Sequence, residues 1–377
     1  MPDSFSEMRK RNAMRVLELV RTHGELSRAD LARMADLSKA TVSSITAELI
    51  ESDLLRETGS ITTEKGRRPV GLVFNPIGKV AVGISVDDQK ALTVVVTDMD
   101  GRVLKTVDAK LEGKLDSLAV KRVLDEVDFE RTRLCAAGLA VPGPISEDAG
   151  DGYHRLAAEL GAALRHEIAL QSLVDMAALA EAHAGKLRPD RLVLFIRNSH
   201  RLRSTLLHAN RLISTHTESG GEPGHAVAPW ISEQCACGST GCVNAHVGTS
   251  QLISRAANLG LHVRTVDELV TAANAADERA ITVVRDAGTA VGFAVAGLVN
   301  VLAPVTVIVS GSLMGARDVY FRSVMDSASR FSIRRNFECS DILPSALGAN
   351  SAATGAAIYA LSNMQSPLTD SNGNGQQ

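Results

Sequence analysis

Gly-Gly-Glu-Pro-Gly-His-Ala-Val-Ala-Pro-Trp-Ile-Ser-Glu-Gln-Cys-Ala-Cys-Gly-Ser-Thr-Gly-Cys-Val-Asn, residues 220–244, brings one imidazole and three thiols into a short segment. His225, Cys235, Cys237 and Cys242 are the donor types that suit Zn²⁺, and four such donors leave no position open for water. The expected cofactor is therefore a structural zinc ion rather than a catalytic one. Gly238 and Gly241 let the backbone turn tightly enough for the four to converge. Ordinary buried cysteines are the alternative. Four ligand-type side chains in one glycine-punctuated run favour the metal.

Outward from this segment, 377 residues exceed one ordinary hydrophobic core and predict two or three domains. Hydrophobic residues make up 45% of the chain and no apolar run is read as membrane-spanning, so a globular protein without a membrane partner is expected. Residues 1–15 are charged and lack an apolar signal segment, which places the expected location in the cytoplasm. Three of the five cysteines fall in the one cluster, a pattern of metal binding rather than of a disulfide framework. Cys135 and Cys339 are expected to be inert packing residues. A net charge of −3 excludes indiscriminate coating of nucleic acid but leaves room for a local basic patch.

Such a patch is sought at the N-terminus. Met14, Leu17 and Val20 recur at helical spacing over residues 8–23, and Gly24 stops the run. Ser27 is placed to cap a short helix over 28–34, and residues 35–37 form a tight turn. Ser38 then caps a third helix reaching about Ser52, with Val42, Ile45 and Leu49 on one side and Lys39, Thr41, Ser43, Ser44 and Thr46 elsewhere. This is a helix-turn-helix, whose third helix enters the major groove of double-stranded DNA. Ser38, Lys39, Thr41, Ser43 and Ser44 are its candidate contacts with phosphates and base edges. Residues 54–60 and 65–69 are read as a two-stranded wing. Lys65, Arg67 and Arg68 form a basic tip suited to the minor groove, the alternative being a solvated linker. The first 70 residues hold twelve Lys or Arg against eleven Asp or Glu, so placement rather than net charge must drive binding.

From Val80 onward, β-branched runs separated by turn residues open an α/β body, with Asp100-Gly101 as a hairpin signal. Further strands are expected at 134–144, 192–196, 204–208, 211–213 and 305–310. An apolar helix at about 277–301 is expected to be buried or at a subunit contact. A small-residue helix is expected at 350–361.

The winged helix-turn-helix, the Gly-Arg-Arg-Pro wing, the strand opening near Val80 and Glu-Pro-Gly-His…Cys-x-Cys-Gly-x-x-Gly-Cys together resemble the ROK family of repressors, open reading frames and kinases. The resemblance runs to about residue 362, and the metal segment is its most specific part. It implies an α/β fold: an N-terminal winged helix-turn-helix (1–72) joined to a two-lobed body of the actin-like ATPase and sugar-kinase type. Lobe one would be 73–190, completed by a helix at about 345–362. Lobe two would be 191–344, with the zinc loop and the dimerisation helices, followed by a disordered tail at 363–377. A homodimer or dimer of dimers and control of a carbohydrate operon are likewise implied.

The family also contains kinases, whose phosphoryl transfer needs glycine-rich turns around the phosphates and a carboxylate base. The first strand reads Asp-x-Gly-x-Thr in those kinases. Here the place is Ser85-Val86-Asp87-Asp88-Gln89, whose two carboxylates would repel phosphate. The second phosphate turn corresponds to Arg197-Asn198-Ser199-His200-Arg201. These arginines could bind an anion, but without glycine the close backbone approach is gone. Aligning on Leu179-Ala180-Glu181 puts Ser172-Leu173 where the kinases carry Asn and the base Asp. Asp175, nearby, is read as a helix cap near Met176 rather than a substitute base.

No catalytic residue is therefore expected. Glu222 and His225 match the family's sugar-contacting Glu-x-x-His, while Asn244 stands where a further sugar-binding Glu is usual; these three are the candidate effector contacts. The expected function is a DNA-binding transcriptional regulator, probed by a sugar or sugar phosphate. A sugar kinase with an added head, and a regulator with a vestigial cleft answering to a protein partner, are the alternatives.

Overall fold

Ala13, Val16 and Val20 recur on one buried face of α1 (Phe5–His23), and Gly24, at φ +78°, ends it in a left-handed turn that favours glycine. The computed structural model describes residues 5–60, 70–87, 91–110, 116–143, 145, 152–184, 187–188, 190–213 and 221–364. After β1 (Leu26–Ser27), Ser27 closes a capping box on α2 (Arg28–Ala35). Its hydroxyl accepts from Asp30 N at 3.2 Å, while the Asp30 carboxylate accepts from Ser27 N at 3.3 Å. Asp36, at φ 53°, turns the chain into α3 (Lys39–Glu51), capped by Ser38, whose Oγ accepts from Thr41 N at 3.1 Å.

The wing is formed by β2 (Leu55–Ser60) and β3 (Val70–Phe74), antiparallel, but its sheet has three strands in the order β1-β3-β2 rather than two. The third strand has only two residues, too few to leave a periodic signal. Lys65, Arg67 and Arg68 lie outside the described residues, as do positions 365–377 of the expected tail.

The body is built from two sheets with one strand order. The first comprises β4 (Val80–Val86), β5 (Ala91–Asp98), β6 (Val103–Lys110), β7 (Leu134–Val141) and β8 (Ile168–Ser172), with α4 (Ser117–Glu126) before β7 and α5 (Gly152–Leu164) before β8. Helix α6 (Leu173–His183) follows. The second sheet comprises β9 (Leu192–Asn198), β10 (Leu202–His208), β11 (Arg211–Leu212), β12 (Val305–Gly311) and β13 (Asp341–Pro344). Between β11 and β12 lie α7 (Asn244–Val247), α8 (Thr249–Asn258), α9 (Val266–Asn274) and α10 (Glu278–Leu302); α11 (Arg317–Phe331) and α12 (Arg334–Glu338) precede β13, and α13 (Ser351–Ser362) closes the fold. The orders β6-β5-β4-β7-β8 and β11-β10-β9-β12-β13 correspond strand for strand: an antiparallel meander followed by two parallel strands. This is the two-lobed arrangement expected from the sequence.

Helix α10 corrects one expectation, since it is long and apolar enough to cross a membrane. Its Val283, Val284, Ala287, Val291 and Val295 are instead buried against β12 and α11, which is the environment of a core helix. Cys339 is exposed, not a packing residue as expected. Cys135 is half-buried, and burial pushes its thiol up to about 12. Asp175 is not the cap of α6. Ser172 is, accepting from Asp175 N at 3.2 Å, which leaves Asp175 in the first turn where the helix dipole favours a carboxylate.

Helices α6 and α13 lie between the sheets. Val174, Met176 and Ala177 of α6 and Ala352 and Ala356 of α13 share a core with Val193, Phe195 and Ile308 of the second sheet, and with Ala140 of the first. Small residues allow this approach: a Cβ on Gly355 would stand 1.7 Å from Met176 O, and one on Gly83 would stand 1.8 Å from Ala353 O. Gly355→Ala is expected to destabilise the protein by about 3 kcal/mol, the upper part of the overpacking range. Urea unfolding followed by circular dichroism checks this, a lowered midpoint at unchanged slope being the expected result.

Candidate functional site

The 221–244 loop folds back on itself through short bridges, Val227 opposite Cys242 and Gln234 opposite Thr240, with Cys235 N donating to Ser239 O at 2.8 Å. These turns bring the four expected ligands together: one donor atom from each of His225, Cys235, Cys237 and Cys242 lies within 4.8 Å of all the others. Ligands at zinc–sulfur and zinc–nitrogen bond lengths around a tetrahedral centre stand about 3.5–3.8 Å apart. Cys237 Sγ is 3.7 Å from Cys242 Sγ, and Cys235 Sγ is 3.8 Å from His225 Nδ1, so the donor set and its spacing fit such an ion. The nearby His246 stays out of the cluster, its Nδ1 lying 3.3 Å from Glu233 Oε1.

The thiols differ. A backbone hydrogen bond from Ser239, helped by Cys235, lowers Cys237 to about 6, whereas burial and the neighbouring Cys237 and Cys235 push Cys242 up to about 12. Crowded thiolates repel one another, and a dication relieves that repulsion.

The other side of the His225 ring faces the candidate effector residues. With Nδ1 towards the thiols, Nε2 faces Glu222 Oε2 at 3.7 Å, beyond hydrogen-bond distance. Glu222 Oε1 accepts from Arg203 at 2.9 Å. Asn244, 8% exposed, accepts from Leu202 N through Oδ1 at 2.8 Å. It also fills the space above Gly224, where a Cβ would stand 2.1 Å from that same oxygen. Glu222, His225 and Asn244 are thus gathered beside the start of β10. No local pattern marks Arg203, because its partner lies nineteen positions away and is brought to it where Ser204 N of β10 donates to Gly221 O at 2.8 Å.

The positions compared with the kinases are used structurally. Asp87 closes the β4–β5 hairpin, its carboxylate accepting from Ala91 N at 2.8 Å, while Asp88 and Gln89 lie outside the described residues. Arg197–Arg201 is the β9–β10 hairpin. Leu173, which the family resemblance aligns with the base, is 5% exposed and packed in the core between the sheets.

In the N-terminal head, Ser38, Lys39, Ser43 and Ser44 are exposed on α3 and Thr41 is half-buried. Ser38 and Thr41 hydroxyls bond each other at 2.8 Å, and Ser44 accepts from Arg9 of α1 at 2.9 Å. Thr46 is not available as expected. It is fully buried, accepts from Arg28 Nε at 3.2 Å and donates to Ser43 O at 3.2 Å. Arg9, held against Ser44 and Glu48, adds a cation beside the helix that the sequence reading had not singled out.

Comparisons with known proteins agree with this organisation. Residues 10–66 match the MarR family and residues 82–363 match the ROK family. The xylose repressor of Bacillus spizizenii (strain ATCC 23059 / NRRL B-14472 / W23) is 22% identical over 365 residues, covering 92% of this chain and 94% of its own. The crystal structure of a ROK family transcriptional regulator, a homologue of the E. coli Mlc protein, superposes with a TM-score of 0.73 at 21% identity and covers 95% of this chain and 97% of that one. A ROK hexokinase from Thermus thermophilus superposes with a TM-score of 0.62 at 24% identity, covering 98% of its own chain but 74% of this one. With three-quarters of its length matched by the family and a MarR-like head in front, the chain belongs to the ROK family and is one of its DNA-binding transcriptional regulators.

Proposed function

We propose that the protein is a repressor of carbohydrate-related genes, cytoplasmic, acting as a homodimer or dimer of dimers on a pseudo-palindromic operator. Its body senses a sugar-type effector and performs no phosphoryl transfer. The observation that carries this reading is the pairing of an exposed recognition helix with a body whose would-be base is the buried Leu173. Leucine takes no proton, and the arginine-bearing hairpin lacks the glycines that let a backbone cradle phosphate. Such a body can bind, and by binding one conformation better than another it can move the DNA heads. In this reading Zn²⁺ is held by His225, Cys235, Cys237 and Cys242 and supplies order to the loop, while Glu222, His225 and Asn244 meet the effector. Ser38, Lys39, Thr41, Ser43 and Ser44 meet the major groove, and Lys65, Arg67 and Arg68 the minor groove.

Competition binding and turnover assays test the reading. The purified protein is expected to prefer duplexes selected from its own genome over random competitor, and to release no ADP with ATP and a panel of sugars. Turnover at a useful rate, or indifference to duplex sequence, would overturn it. Replacing Arg67 and Arg68 by Ala is expected to lower the slope of log affinity against log salt by about 2, one counterion for each lost phosphate contact. An unchanged slope removes the wing from the interface.

For the metal, Cys237→Ser is expected to lose bound zinc and to lower the melting temperature, since structural zinc contributes up to ~10 kcal/mol to folding. Metal content by mass spectrometry and thermal melting with and without a chelator measure this. A variant that melts like the parent, and a parent indifferent to chelation, would remove zinc from the fold.

A further inference from the structure

Arg203 is directly opposite Arg197 in the β9–β10 register. Side chains alternate along a strand, so both guanidinium groups leave the face whose preceding rungs, Phe195 and Val193 on β9, pack against α6. Ser310 of β12 is in register with Arg197, which puts all three at the carboxyl end of the parallel pair β9–β12, where ligands bind in open α/β sheets. Like charges directly opposite on neighbouring strands are destabilising, and Glu222 offsets the charge of Arg203 at 2.9 Å.

Two buried polar atoms on residues tied to β10 have no hydrogen-bond partner among the described residues: Glu222 Oε2 and Asn244 Nδ2. Both groups are tied to β10, Glu222 by its ion pair with Arg203 and Asn244 by its bond from Leu202 N. An acceptor and a donor left open suit hydroxyl groups, which can donate to the one and accept from the other. A guanidinium suits a planar or tetrahedral oxyanion, which it can grip through two parallel N–H donors.

Resting on the reading of this region as an effector site, we propose that Arg203 is its specificity-determining residue and that the effector is an anionic sugar derivative. Its carboxylate or phosphate is met by Arg203 with Arg197 alongside, and its hydroxyls are met by Glu222 Oε2 and Asn244 Nδ2. The carbohydrate is bound at the head of the β9–β10 hairpin, where side-chain cations stand in place of a glycine turn.

Calorimetry on the full-length zinc-loaded protein tests this with four probes: D-glucose, D-glucuronate, glucose 6-phosphate and inorganic phosphate. Glucuronate or glucose 6-phosphate is expected to bind about tenfold or more tightly than glucose, the difference one charge-assisted contact makes. Which of the two binds identifies the oxyanion, and inorganic phosphate alone is expected to bind more weakly than either. Arg203→Gln, with its fold checked by thermal melting, is expected to abolish the preference. Arg203→Lys, which keeps the charge but not the two-pronged geometry, is expected to retain part of it. Equal affinity for glucose and its anionic derivatives, an intact preference in Arg203→Gln, or silence towards all four probes would each overturn the assignment. Operator binding measured on the same preparation keeps the outcomes separate: if it persists, the regulator reading stands although the anion reading has failed.

Discussion

One short helix, α6, ties the two sheets of the body together. Glu181 of α6 is a buried carboxylate, and a buried charge is tolerated only when its acceptor capacity is met. Here Ser345 Oγ at 2.5 Å, Ala346 N at 3.0 Å and Leu347 N at 3.0 Å all donate to it. Those donors belong to the segment that leaves β13 and enters α13, so α6 is pinned to the exit of the second sheet while its other side packs on α13. Because Gly355 lets α13 touch the α6 backbone, the two helices have little freedom to slide independently.

The C-terminal end of α6 reaches towards the DNA head. His183 Nε2 lies 2.7 Å from Asp100 O in the β5–β6 turn, and the Asp100 carboxylate lies 3.3 Å from Arg21 Nε on α1. Met99 from the same turn, and Leu361 and Met364 at the end of α13, pack against the core of the winged helix. The body is therefore joined to the head through one polar chain from α6 to α1 and one apolar contact. The N-terminal end of α6 is capped by Ser172, which the family resemblance aligns with a sugar contact of the kinases. Coupling between sites in proteins is typically about 1–3 kcal/mol, well within what a few such contacts can carry. An exposed ion pair such as Arg21–Asp100 contributes little by itself, so the apolar contact carries more of the load.

How much of this the sequence disclosed follows from the range over which each signal acts. The ligand cluster, the caps Ser27 and Ser38 and the strand runs after Val80 are local, fixed by residue type within a few positions, and all were legible. Arg203–Glu222, Glu181 with the 345–347 segment and the two-residue β1 depend on pairing between distant segments, which no local period encodes. Thr46 and Asp175 were misplaced for a different reason. Each is a small polar residue of a helix, Thr46 midway along α3 and Asp175 in the first turn of α6, whose side chain can face solvent, bond the local backbone or turn inward, and only the packed neighbours decide. Cys339 failed similarly, because cysteine is commonly buried but nothing in its neighbourhood required it.

The contrast with the kinases is instructive at the level of free energy. A kinase gains rate only from interactions stronger in the transition state than in the bound substrate, which is the role of a positioned base and of amides aimed at a transferring phosphoryl group. A sensor needs a difference of another kind, between two conformations of the protein with the same ligand. In the proposed reading Leu173 stands in the place of the base and supplies none of the first kind of interaction, while its side chain packs in the core between the sheets. Hydrogen-bonding groups that contact a ligand equally in ground and transition states are useless for acceleration, and they serve switching where the two conformations hold them differently. In the proposed reading the scaffold can thus be without catalysis and still signal, because the contacts the two require are made by different residues.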